Sequence, residues 1–313
     1  MPTPVSKPSI KIDDIKHALQ SGDTDNAILL SQQALDNLDN TQNKGEVLYI
    51  LAVAQRTKGL IAEATETVKK LINSDPNQAR AHQENGYLSL STGNKPKAAT
   101  AFARATRLNP ALLSSWQKLA PLYAELKHIE GQKFATQRIN YLTQLPVEIR
   151  GARDLMYEGK LAVADTVCRR YLQNHKHHAE AMLLLAEIGI KLKLYHEAEF
   201  FLESCVEIHP KHEVARAEYV QLLSKLGKFG KAKQQAERLL NEHPNNHQYL
   251  AAKASAMVGV GEVEQAISLY QQIIKDRNDL PGIQLLLGHA HKASGNIEQA
   301  VAAYQQAYKI RPD

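Results

Sequence analysis

Apolar and small residues return along this chain in a helical rhythm, and the rhythm itself repeats. From 79 to 112, ARAHQENGYLSLST sets its apolar residues at three- and four-residue steps, as one buried helix face requires. Gly93 and Asn94 break the pattern, and PKAATAFARATRLN resumes it until Pro110. Pro96 stands in the first turn of that second helix, where a missing N–H costs nothing. The segment therefore predicts two antiparallel helices joined by a tight turn. The same pair recurs along the chain. Ala164, Ala198, Ala232, Ala266 and Ala300 follow one another at steps of 34, and Ala64 and Ala98 keep that step, with Gln132 in the third place. A second small-residue series runs twelve positions ahead: Ala52, Gly86, Ala120, Ala152, Ala186, Val220, Ala254 and Gly288. Closing prolines at Pro76, Pro110, Pro210, Pro244 and Pro312 share the register, as do turn glycines at Gly59, Gly93, Gly159, Gly227, Gly261 and Gly295. A period of this length marks a stacked array of supersecondary units.

The two small series have a geometric meaning. Gly86 and Ala98 lie on facing sides of their helices, so the helices approach closely, and Phe102 fills the space beside them. One such hairpin cannot bury its apolar faces alone; its successor covers them. We count nine hairpins, or about eighteen helices. Gly22 and Ala27 mark the first, with a longer connection around Asn40 to Lys44. The period slips once, to 32 between Gln132 and Ala164, near Pro146, and Pro121 is expected to interrupt the helix before it. The expected organisation is a flexible N-terminus at 1–10, a block of four repeats at 11–146 and a block of five at 147–313. The slip allows either a hinge or a rigid, locally re-packed junction.

Composition narrows the function classes. Only 6% of residues are aromatic, which suits helices held close by small side chains. The formal charge of +5 comes from 38 basic and 33 acidic residues that are interspersed, so the basic stripe expected of a nucleic-acid binder is missing. The opening MPTPVSKPSIKIDD lacks the apolar core of a secretory signal, and no apolar run is long enough to span a bilayer. These features predict a cytoplasmic protein with no membrane or nucleic-acid partner. Cys168 and Cys205 sit in apolar helical patterns and read as buried thiols of a reducing compartment rather than a disulfide.

Candidate chemistry is sparse. GNKPKAAT at Gly93 and GKFGKA at Gly227 superficially suggest phosphate loops. Neither has the required glycine spacing before Lys and Ser/Thr, and both fall where each repeat turns. His175, His177 and His178 cluster in a linker between repeats, and His209, His212, His243 and His247 occupy equivalent linkers; spacing alone does not converge them on a metal. No Ser-His-Asp or Cys-His arrangement can be traced. No catalytic residue, metal site or cofactor is expected.

The signature of a bulky residue, a Leu-small pair, an Ala, an aromatic and a closing Pro resembles the tetratricopeptide repeat (TPR). Residues 281 to 312 carry it as Leu287-Gly288, Ala300, Tyr304, Ala307 and Pro312, and residues 45 to 76 as Leu51-Ala52, Ala64 and Pro76. Trp116, Leu119-Ala120 and Tyr123 carry the front half of a further unit. The resemblance implies an all-α fold, a right-handed TPR superhelix (α-solenoid) of about nine helix-turn-helix repeats, with the first helix of each hairpin on the concave side. Residues three before, one after and four after each first-helix small residue share a stripe. These are Tyr49, Val53 and Arg56; Gln83, Tyr87 and Leu90; Ile149, Arg153 and Met156; Leu183, Glu187 and Ile190; Gln221 and Ser224; Ser255 and Val258; and His289 and Lys292. They form the expected groove for a protein or peptide ligand, most apolar in its middle. The alternative is an ordinary solenoid interior with no specific ligand. The Lys, Asn and Arg cluster by which some TPR domains grip chaperone carboxylates is not reproduced.

LPVEIRGARDLMYEGKLAVADTVCRRYLQNH and GHAHKASGNIEQAVAAYQQAYKIRPD are further similar to the repeats that precede the catalytic domain of bacterial TPR-sulfotransferases. That resemblance implies a substrate-recruiting role beside a domain using 3'-phosphoadenylyl sulfate, and no catalytic residue of that domain has a counterpart here. The last helix carries Tyr304, Tyr308 and Ile310, so either a continuation of the chain or self-association is expected to cover it. The competing expectation is a free-standing adaptor or assembly factor.

Overall fold

The computed structural model describes residues 10–37 and 44–312. The expected flexible segment before Ile10 and the long connection at 40–43 lie outside the described residues. Among them are eighteen α-helices in nine consecutive pairs. The pairs are α1 (Ile12–Gln20) with α2 (Thr24–Asn37), α3 (Lys44–Thr57) with α4 (Ile61–Ser74), and α5 (Ala79–Ser91) with α6 (Lys95–Leu108). Then come α7 (Leu113–Glu125) with α8 (Ile129–Gln144), α9 (Val147–Tyr157) with α10 (Leu161–Asn174), and α11 (Ala179–Lys191) with α12 (Tyr195–Ile208). The last three are α13 (Glu213–Lys225) with α14 (Phe229–Glu242), α15 (His247–Gly259) with α16 (Val263–Asp276), and α17 (Pro281–Ala293) with α18 (Ile297–Ile310).

The turn within each pair follows one recipe. After α5, Gly93 adopts φ 73°, its N–H donates to the Leu90 carbonyl, and the Asn94 N–H donates to the Ser89 carbonyl. These bonds satisfy carbonyls that the helix end would leave bare. The Asn94 side chain then accepts from the Lys97 N–H and starts α6. Two turns perform the same left-handed step without glycine, at Lys127 (φ 57°) and Lys193 (φ 62°).

The small-residue register is the packing register. Ala52, Ala64, Ala98, Ala164, Ala186, Ala198, Ala232, Ala254 and Ala266 are all fully buried. A Cβ placed on Gly86 would stand 2.7 Å from the buried Phe102 ring, so the glycine makes room for that ring. Pro121 does not interrupt its helix: α7 runs through it to Glu125. One lost donor does not end a helix whose Trp116, Leu119 and Leu122 are all buried.

The chain divides into two compact units, Met1–Ala164 and Asp165–Asp313. The division does not fall at Pro146. Residues of α9 are tied to the preceding hairpins, because Asp154 accepts from Arg80 of α5 and from Asn109, and Glu158 also accepts from Arg80. In the first unit the core runs from Ile15, Val47 and Ile50 through Ala64 and Val68 to Phe102, Trp116, Leu119 and Leu142. In the second it joins Leu183, Leu202, Tyr219, Leu223 and Leu239, then Tyr270, Ile273 and Leu287. No described helix is long and apolar enough to cross a membrane.

Candidate functional site

Within each unit, first helices pack on one another as well as on their own partners: α1 on α3 and α3 on α5, then α13 on α15 and α15 on α17. Second helices do not pack on each other to a comparable extent. In α1, α3 and α5, and again in α13, α15 and α17, the first helices therefore form the inner face.

In the first unit, much of the expected stripe serves to stitch hairpins together. Arg56 donates from Nε to the buried Glu84 at 2.6 Å, and its guanidinium lies 4.9 Å from the Tyr87 ring centre. Tyr87 meets Phe102 edge-on at 5.2 Å, and Leu90 packs beside it. Gln83 is buried and donates to Ser114 and Ser115 of α7. Ile149 (0% exposed), Met156 (2%) and Arg153 (6%) are buried. Ile149 and Met156 are core residues, which corrects their expected place as groove anchors.

In the second unit Leu183 is 1% exposed, at the centre of the core, and is likewise corrected. Ile190 packs on the same core and is partly covered. Ile149 and Leu183 lie three before their small residue and Met156 four after it, and neighbouring side chains cover all three. The expectation of an apolar middle to the groove fails for that reason. Glu187 is half-buried near Glu218, whose carboxyl is pushed up first by burial and then by the charge of Glu187. Gln221, His289 and Lys292 are exposed, and Ser224 and Val258 partly so. His289 Nδ1 pairs with the Tyr304 hydroxyl at 2.9 Å, and Ser255 with the Tyr270 hydroxyl at 2.8 Å.

The concave feature with the most chemistry lies in the first unit. A cavity of about 790 Å³ is lined by Glu46 and Tyr49 of α3, the loop from Asp75 to Ala79, Arg80 of α5, Leu108, and Leu155 to Lys160 at the end of α9. Most of its charges are already paired. Arg80 bonds Asp154 and Glu158, Lys160 reaches Glu158 at 2.9 Å, and Lys16 reaches Glu46 at 2.8 Å. Burial raises the Glu158 carboxyl, but hydrogen bonds from Lys160 and Arg80 outweigh it and hold the group below its ordinary value. Burial also raises the Tyr49 phenol, aided by the nearby Glu84 charge. Gln78 is different: its Oε1 is buried with no hydrogen-bond donor. A buried acceptor without a donor carries an uncompensated desolvation cost. Of these residues the stripe identified only Tyr49. Arg80 and Asp154 stand 74 positions apart, and no local spacing marks them as neighbours.

The linker histidines have structural work. His178 and His212 cap α11 and α13 by accepting from the Ala181 and Ala215 N–H groups, and His128 caps α8 in the same way. No group of three or more His, Cys, Asp or Glu among the described residues is placed to hold a metal.

Sequence profiles described as tetratricopeptide repeat match residues 149–213, 189–256 and 258–313, together more than half of the chain. No curated protein matches it. Among solved structures, MamA (41-end) from Desulfovibrio magneticus RS-1 is 14% identical with a TM-score of 0.48, over 53% of this chain and 97% of that one. YrrB, described as a TPR protein with an unusual peptide-binding site, is 17% identical with a TM-score of 0.47, over 57% and 92%. TTC0263, a thermophilic TPR protein of Thermus thermophilus, is 19% identical with a TM-score of 0.43, over 53% and 91%. With its nine helical hairpins, its small-residue register and the matching repeat profiles, the chain belongs to the tetratricopeptide repeat family.

Proposed function

We propose that this protein is a non-catalytic TPR scaffold and that its first unit holds an extended segment of a partner polypeptide in the Tyr49–Gln78–Arg80 cavity. The unpartnered Oε1 of Gln78, a residue that lines the cavity, carries this reading, with the amide turning toward the segment as it binds. A peptide main chain offers N–H donors at regular spacing, and one of them would satisfy the acceptor. Tyr49, Leu108 and Leu155 supply apolar contact area, while the Arg80 ion pairs fix the far wall. Few anchors imply micromolar binding. The experiment is selection of random peptides on the purified protein, followed by calorimetry with Gln78→Leu, which keeps the volume and removes the acceptor. Selected peptides should bind the variant about fivefold more weakly. Failure to select any peptide, or equal affinity for the variant, would refute the reading.

Two narrower readings rest on separate observations. The likeness of the stretches around 145–175 and 288–313 to TPR-sulfotransferases favours recruitment of a protein substrate for sulfation. Capture by this protein of a partner that is sulfated in the source cell would support it, and capture of unsulfated partners alone would remove it. Ile297, Val301 and Tyr308 form an exposed apolar line on α18, which favours self-association over a cytoplasmic monomer without partners at that end. Sedimentation of the wild type against Val301→Glu decides that point.

A further inference from the structure

A second cleft lies in the first unit between the second helices α6 and α8, with α7 as its floor. Trp116 and Tyr123 of α7 and Phe134 of α8 wall a space of about 500 Å³. The Trp116 and Phe134 rings meet at 71° with centres 5.7 Å apart, and Phe134 is 55% exposed. A neighbouring space of about 520 Å³ shares Ala103, Arg107 and Tyr123 with it. This size accommodates a large side chain with its flanking backbone.

The charges of this cleft are all of one sign. Arg104, Arg107 and Arg138 line it, and no carboxylate does. Among the described residues Arg104 donates only to the neutral Asn77 Oδ1, at 3.1 Å. Arg107 is exposed, and no ion pair among the described residues involves it. The Arg138 Nε is buried without an acceptor, and its guanidinium lies 5.0 Å from the Tyr141 ring centre. Elsewhere in the unit Arg56 is neutralised by Glu84, and Arg80 by Asp154 and Glu158. Three guanidinium groups left without counter-ions around an aromatic wall form the composition from which binding hot spots are built.

We propose that this outer cleft binds an acidic peptide segment of a partner protein, one carrying a large apolar or aromatic side chain between its carboxylates. The side chain packs on the exposed face of Phe134 and against Tyr123, with the Trp116 ring behind them, and carboxylates pair with Arg107 and Arg138 through their planar forks. A nucleic-acid strand spaces its phosphates along a line and calls for a basic stripe; three arginines gathered round one aromatic pocket suit a compact acidic motif better.

Trp116 is the only tryptophan of the chain, and its indole N–H is held on the Pro110 carbonyl at 3.0 Å. Its emission therefore reports on this cleft alone. The test is a titration of the whole protein with the end-blocked peptide Glu-Asp-Phe-Asp-Glu, its basic counterpart Lys-Lys-Phe-Lys-Lys, and oligothymidylate. The acidic peptide should give a saturable emission change with micromolar half-saturation. The basic peptide should give none, and Arg107→Gln and Arg138→Gln should each weaken binding about tenfold. Arg107 is exposed, so its variant serves even where loss of Arg138 disturbs folding. The proposal is overturned by no saturable change up to millimolar peptide, by equal responses to both peptides, or by tighter binding of the oligonucleotide. Unchanged half-saturation in an arginine variant with wild-type helicity also overturns it.

Discussion

Gly86 tests whether close approach, rather than helix propensity, selects the small residues of the repeat. A methyl group there would stand 2.7 Å from Phe102 Cε1 and 2.8 Å from two further ring atoms, well inside contact distance. Phe102 is fully buried and packed edge-on against Tyr87, so the ring has no solvent side to retreat to. Overpacking of this kind costs about 1–3 kcal/mol. Replacing a helical glycine by alanine returns about 1 kcal/mol. The expected net effect of Gly86→Ala is thus a loss of about 1 kcal/mol. Gly151 is the control: it is exposed in α9, nothing lies within 4 Å of a Cβ there, and Gly151→Ala should stabilise by about 0.5–1 kcal/mol. Gly288 is intermediate, because the clash there is with Tyr304, which is partly exposed and can swing away. Urea unfolding followed by Trp116 emission reads the effect locally, since Trp116 and Phe102 share one core cluster. Gly86→Ala should lower the midpoint, and adding Phe102→Leu should recover part of it. A midpoint for Gly86→Ala at or above wild type would refute the reasoning.

Lys193 occupies a left-handed turn position that glycine fills in most repeats, so Lys193→Gly should raise stability by about 0.5 kcal/mol in chemical denaturation despite the added chain entropy. Leu183→Glu puts a charge into the core of the second unit and should cost roughly 4 kcal/mol or more, visible as lost helicity rather than as a folded protein with weakened binding. Burial holds the His178 imidazole below its ordinary 6.5, and its Nδ1 lone pair caps α11. The neutral ring is favoured in the fold, so this stabilisation is complete above pH 6.5 and is lost as pH falls through the lowered folded value. His178→Asn keeps a cap without a proton, so its melting temperature should fall less than that of wild type between about pH 7.5 and about pH 5. Burial pushes the Cys205 thiol up to about 11, and Cys168 is buried too. Iodoacetamide at mildly alkaline pH should label neither in the folded protein and both in urea, as mass spectrometry reads directly.

The fold was legible because its determinants are local and periodic. Ala64, Ala98 and Gly86 announce close helix packing wherever they recur, and Gly93 with Asn94 announces its turn. What escaped were features fixed by three-dimensional closure. Ile149, Met156 and Leu183 share a helical stripe with the exposed Gln221 and Lys292, yet stacking buries the first three; periodicity gives a face but not the depth at which a neighbour covers it. The slipped period points to a junction near Pro146. The tie from Arg80 and Asn109 to Asp154 instead carries α9 with the first unit, and a pairing across 74 residues leaves no local trace. Arg80, Gln78 and the Trp116–Arg138 cleft were invisible for the same reason.

Photocrosslinking inside the source cell tests the central claim most directly. With p-benzoylphenylalanine at position 49, on the inner face, light should yield a discrete adduct with a partner polypeptide. The same group at position 200, on the exposed outer side of α12, should not yield that adduct. No adduct at 49, or the same adduct in equal yield from 200, would contradict the assignment of the first-helix face as the surface that holds a partner.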